Sequence, residues 1–87
     1  MSYALNIKKS AQKSLAKMSQ PHKTRIIESI RNLSDQPRPP GCKKLSARDA
    51  WRIRVSDYRI IYEIDDNELI ILVVHIGHRN EVYKMKS

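Results

Sequence analysis

An α+β domain with the order β-α-α-β-β-β, a four-stranded and mainly antiparallel sheet with a helical hairpin packed on one face, is the architecture the sequence predicts. Three observations lead there. Apolar residues recur at helical spacing between residues 9 and 33, they alternate with a period of two from residue 51 onward, and a proline-bearing tract separates the two patterns. With 87 residues the chain can bury one small core, so we expect a single domain spanning residues 1–87.

In SYALNIK, residues 2–8, Tyr3, Leu5 and Ile7 alternate with small or polar neighbours and predict a first strand. Ala11, Leu15 and Met18 then repeat at helical spacing, and after a break at SQP so do Ile26, Ile27, Ile30 and Leu33. Pro21 suits the first turn of the second helix, where a missing N–H has no partner to lose. Two helices of about three turns each form an αα-hairpin whose apolar stripe needs a sheet to cover. Residues 35–49, DQPRPPGCKKLSARD, hold three of the four prolines and one of the two glycines, so a loop without regular elements is predicted, pinned to the core by Leu45.

Strands at about 50–56, 58–65 and 68–76 follow, with Ser56-Asp57 and Asp66-Asn67 as two-residue turns. The first turn sets Val55 against Tyr58, Arg54 against Arg59 and Ile53 against Ile60. The second lines up Ile60, Tyr62 and Ile64 with Val73, Ile71 and Leu69 on the face that receives the helices, together with Trp51. Arg52, Arg54 and Arg59 then share the opposite face, where Ile61 and Leu72 leave an apolar strip.

Seventeen Lys plus Arg against nine Asp plus Glu give a formal net charge of +8, which on so short a chain points to a polyanionic partner, nucleic acid first. A merely solvated basic surface is the bland alternative. Cys42 is the only cysteine, so no intramolecular disulfide forms. No apolar N-terminal run occurs and the longest apolar stretch, Leu69 to Val74, is too short for a bilayer, so a cytoplasmic protein is expected. Without CxxC, HExxH, a Gly-rich phosphate loop or GxSxG, no metal or cofactor is expected.

Beyond the third meander strand, HIGHRNEVYK supplies His75, His78, Arg79, Glu81 and Tyr83. A turn at Gly77 returns them to the arginine face, where guanidinium groups hold phosphates and stabilise a phosphorane while an aromatic ring stacks on a base.

The order of elements, KKLSARDAWRIRVSDYRIIYEI and the terminal GHRNEVYK closely resemble the RelE/ParE superfamily of toxins, its RelE branch above all, over nearly the whole chain. The resemblance implies the RelE-like microbial RNase fold and the toxin of a type II toxin–antitoxin module. It also implies an endoribonuclease, an mRNA interferase, that cuts mRNA in the ribosomal A site by 2′-hydroxyl attack without a metal, inhibiting translation. Its implied partners are a RelB-like cognate antitoxin, the ribosome and mRNA.

Carried over by position, Arg52 and Arg54 stand for the family's two basic residues on the first meander strand, Arg59 for the phosphate-binding arginine, Arg79 for the later catalytic arginine and Tyr83 for the base-stacking or acid/base tyrosine. RelE has lysines where this chain has Arg52 and Arg54, and arginine is a poor proton acceptor. General base work then falls first to His78, with Glu81 and Tyr83 next. Lys43, Lys44, Arg48, Lys13 and Lys17 are candidates for RNA backbone contacts. Two further functions stay open: a ParE-like inhibitor of DNA gyrase, and a nucleic-acid-binding module without catalysis.

Overall fold

The computed structural model describes residues 2–78. Along them run β1 (Ala4–Ile7), α1 (Lys9–Ala16), α2 (His22–Asp35), β2 (Lys43–Lys44), β3 (Trp51–Val55), β4 (Tyr58–Asp65) and β5 (Ile70–His78). The strands make one five-stranded sheet in the order β1-β5-β4-β3-β2, with β1 parallel to β5 and the remaining pairs antiparallel. The predicted α+β class holds, with one strand more than expected. Lys43 and Lys44 pair with Arg52 and Trp51. The prolines end at Pro40, so both lysines keep their N–H donors, and Gly41 at φ 90° redirects the chain just before them.

The helices cover one face of the sheet. Ala11 and Leu15 of α1 and Ile26, Ile30 and Leu33 of α2 bury against Ile53, Ile60, Tyr62, Ile71, Val73 and Ile76. Helix α1 is shorter than its apolar repeat suggested, because the Met18 N–H donates to the Leu15 carbonyl at 3.1 Å, a tightened last turn that ends it before the Gln20–Pro21 peptide. Pro21 itself sits at the cap of α2.

The first hairpin has the predicted register, Arg54 opposite Arg59 and Val55 opposite Tyr58. The second differs. Asp65 pairs with Ile70, which leaves four residues in the turn and puts Leu69 at φ 58° outside the strand. An Asp65 carboxylate oxygen accepts the N–H groups of Asn67 and Glu68 at 3.0 and 2.9 Å, and this side-chain cap favours the longer turn. A β-bulge then separates the Tyr62–Val73 and Ile61–His75 pairs, with Val74 as the extra residue. Strict alternation from Ile71 and Val73 would send residue 75 into the core. The bulge instead puts Ile76 there and turns His75 outward.

Polar contacts fix the periphery. The buried Tyr62 ring sends its hydroxyl to the Pro37 carbonyl at 2.7 Å, holding the proline loop, and burial pushes that phenol well above its ordinary range. Ala50 is buried at the far end of the loop, whereas Leu45 is only half-buried, so Ala50 and the Tyr62 contact are the pins. Asp66 accepts from Arg38 at 3.0 Å and from the Tyr3 hydroxyl at 2.7 Å, and these bonds, Arg38 first, hold its carboxyl below the ordinary 3.8. What this exposed cluster adds to stability is therefore present above the ordinary carboxylate value and lost as pH falls through the depressed one.

Candidate nucleic-acid interface

The sheet face turned away from the helices carries the charge. Strand pairing aligns Lys43, Arg52, Ile61 and His75 in one row across β2, β3, β4 and β5, and Arg54, Arg59 and Gly77 in the next. Arg52, Arg54 and Arg59 thus gather on one face, as predicted. Arg54 and Arg59 stand directly opposite, and like charges in a cross-strand pair repel. Burial lowers the pKa of the half-buried Arg52 guanidinium, and repulsion from Arg59 and Arg54 lowers it further. The repulsion marks a face that gains from an anion.

That repulsion has a measurable consequence. Arg54→Gln removes one charge of the opposed pair, and the fold should gain roughly 0.2–1 kcal/mol, read as a higher urea midpoint. The same variant should bind RNA more weakly, since a phosphate loses a charged partner. A variant less stable than the parent would show that the pair is not repulsive.

Beside the arginines, Pro40, Gly41, Lys43, Arg52, Ile53 and Arg54 line a groove of about 310 Å³ at the β2 edge. Lys43, a predicted RNA contact, therefore joins the arginine face through a strand the proline loop concealed. The other predicted contacts lie apart from it. Lys44 sits 3.4 Å from Asp49 and 5.9 Å from the centre of the Trp51 ring, and Arg48 pairs with Glu63 at 3.1 Å. Lys13 and Lys17 belong to the helix layer on the opposite side, exposed beyond the buried Ala11 and Leu15.

His78 requires a correction. The chain does not turn at Gly77, and β5 continues to His78, which pairs with Tyr58 on the helix side of the sheet. Its ring meets the Tyr58 ring edge-on at 5.4 Å, and Tyr58 in turn lies 5.8 Å from His22. The bulge at Val74 reverses the facing of every later residue in β5, so His75, not His78, shares the arginine face. Arg79, Glu81 and Tyr83 lie outside the described residues.

The outer face is not uniformly charged: Ile61 stands in the row between Arg52 and His75, and Leu72 lies opposite Glu63. Near the β4–β5 turn, Asp49, Glu63, Asp65 and Asp66 line a second, open depression of about 800 Å³. Arg48 lines it too and pairs with Glu63, so this end is of mixed charge while the arginine end is positive. Among the described residues no group of three or more His, Cys, Asp or Glu is placed to hold a metal ion, and no helix is long and apolar enough to cross a membrane.

Comparison with known proteins identifies the family. The family model of the ParE toxin of type II toxin–antitoxin systems, parDE, matches residues 5–83. An Escherichia coli protein described as a RelE-like toxin is 29% identical over an alignment covering 100% of this chain and 96% of that protein. The mRNA interferase toxin RelE of Escherichia coli K12 is 25% identical, with 95% of this chain and 92% of that one aligned. The RelE–RelB complex of Pyrococcus horikoshii superposes with a TM-score of 0.82 at 28% identity, covering 91% of this chain and 97% of that chain. The chain belongs to the ParE toxin family of type II toxin–antitoxin systems and is RelE-like within it.

Proposed function

We propose that the protein stops translation by cutting mRNA in the ribosomal A site. The observation that carries this reading is the arginine triad on the outer face, with Arg54 and Arg59 opposed and Arg52 half-buried beside them. Such a triad fits a group whose negative charge grows during reaction. When a ribose 2′-oxygen attacks the adjacent phosphorus, charge builds on the non-bridging oxygens, and preorganised guanidinium groups stabilise it. The 2′-oxygen–phosphorus bond forms as the phosphorus–5′-oxygen bond breaks, leaving a 2′,3′-cyclic phosphate and a 5′-hydroxyl. The nucleophile belongs to the substrate, so the step as drawn calls on no metal.

In this reading Arg54 and Arg59 bracket the scissile phosphate, and Arg52 with Lys43 holds the neighbouring backbone. Arg79 and Tyr83 take the roles their positions in the resemblance imply, a second charge on the phosphorane and a stack against the base. Likeness to a protein named mRNA interferase toxin RelE supports the assignment. A RelB-like antitoxin is the proposed partner, as in the RelE–RelB complex of Pyrococcus horikoshii, and an acidic or amphipathic segment of it suits the +8 charge.

The family match favours a second reading, inhibition of DNA gyrase, because the matching model is that of ParE. One pair of assays separates them. The purified toxin, given programmed ribosomes, should cut the message at the A-site codon within a single round and should leave gyrase supercoiling unchanged. Intact message together with blocked supercoiling would establish the gyrase reading instead.

A further inference from the structure

Arginine takes no proton at neutral pH, so the three guanidinium groups leave the nuclease step without an acceptor for the 2′-hydroxyl proton. The sequence alone favours His78 for that role, and the β5 bulge turns it to the wrong side of the sheet. The same bulge delivers another imidazole. His75 lies opposite Ile61 on the outer face, and its ring folds along the strand over Gly77, the residue opposite Arg59. A Cβ at Gly77 would come within 2.6 Å of His75 Nε2, closer than real Cβ contacts, so the missing side chain is what lets the imidazole lie beside the Arg54–Arg59 pair. The ring is half-buried, while Nε2 is shielded from water and has no hydrogen-bond partner among the described residues. Resting on Gly77, Nε2 is closed to a ligand, and a buried nitrogen without a partner favours a ring that turns to meet one.

Resting on the nuclease reading, we propose that His75 is the proton acceptor of the site: its ring turns off Gly77 when RNA binds, so that Nε2 meets the ribose whose phosphate Arg54 and Arg59 hold. The neutral imidazole takes the 2′-hydroxyl proton as the 2′-oxygen–phosphorus bond forms. The 5′-oxygen leaves with the electron pair of the broken bond and takes a proton from water, and the imidazolium returns its own to solvent. The charged neighbours facing His75 are Arg59 on β4, Arg52 and Arg54 on β3, and Lys8 just past β1, whose N–H donates to the Val73 carbonyl at 2.9 Å. Behind the strand, α1 contributes Lys9 and Lys13.

The test is the pH dependence of single-turnover cleavage on programmed ribosomes for the parent, His75→Ala, His75→Gln and His78→Ala. In the parent, the log of the rate should rise with unit slope through the imidazole titration and then level off, because the neutral form is the active one. His75→Ala should lower the plateau about 10²–10⁴-fold and remove the slope. His75→Gln keeps a polar tip that takes no proton near neutral pH, so it should behave like His75→Ala, whereas a merely structural role would be rescued by it. His78→Ala should retain the parental slope. Thermal unfolding monitors the fold, and if His75→Ala does not fold, His75→Gln decides. A slope that survives in His75→Gln, or disappears in His78→Ala, overturns the proposal while leaving the nuclease reading intact. A parent that cuts nothing overturns both.

Discussion

Arg59→Ala should lower the single-turnover rate of mRNA cleavage about 10²–10³-fold, the loss usual when one preorganised donor to a developing oxyanion is removed. The side chain stands at the centre of the outer face, with Arg54 across one strand boundary and Gly77 across the other, so its removal empties the middle of the charged row. Growth arrest on induction should disappear with the activity. The fold should persist, because Ile60 and Tyr62, not Arg59, carry the packing of β4. Arg59→Lys should recover only part of the rate, since a lysine keeps the charge and loses the planar two-pronged contact to phosphate. Cleavage by Arg59→Ala at the parental rate would remove the arginine face from the mechanism.

The largest stability effect is expected at Tyr62. Its side chain is fully buried between the sheet and the helices, and its hydroxyl holds the Pro37 carbonyl at 2.7 Å. Tyr62→Ala should cost about 3–5 kcal/mol, as truncation of a large buried ring does, and so lower the melting temperature of a chain of this size by well over 10 °C, roughly. Tyr62→Phe removes the hydrogen bond alone and should cost about 0.5–1.5 kcal/mol. Urea unfolding of the two variants separates packing from polar anchoring. Equal losses would mean that the loop contact, rather than the ring, carries the stability.

The Tyr62 contact also explains how a proline-rich loop arrives at the arginine face. By fixing Pro37, it sets the path through Pro39, Pro40 and Gly41 that brings Lys43 opposite Arg52. Residues 35–49 read as irregular because prolines dominate the tract, and two adjacent lysines give no hydrophobic alternation to announce a strand. Strand β2 exists because β3 offers it an edge, a tertiary cause with no local signature.

Both helices, β1 and the β3–β4 hairpin were legible because their apolar periods are clean and the turn at Ser56-Asp57 is short. Gathering of Arg52, Arg54 and Arg59 followed from that hairpin register alone. The β4–β5 register was not legible. Ile71 and Val73 face inward as expected, but IILVV is apolar at every position, so its pattern announced neither the four-residue turn that shifts their partners to Ile64 and Tyr62 nor the single bulged residue that sets the facing beyond them. Exchange of His78 for His75 on the arginine face is a direct result of that ambiguity. Gly77 was the available signal: a glycine inside a strand marks a close approach, here that of the His75 ring.

The central claim is that the arginine face promotes attack by the substrate's own 2′-hydroxyl, and the most direct measurement replaces that hydroxyl. Programmed ribosomes carrying a message with one 2′-deoxyribose at the mapped cleavage position are incubated with the parent toxin beside the all-ribose message. The account predicts that the all-ribose message yields a 2′,3′-cyclic phosphate and a 5′-hydroxyl end, while the deoxy-substituted bond stays intact. Cleavage of the deoxy-substituted bond, or a 5′-phosphate on the downstream fragment, would show that water is the nucleophile and would contradict it.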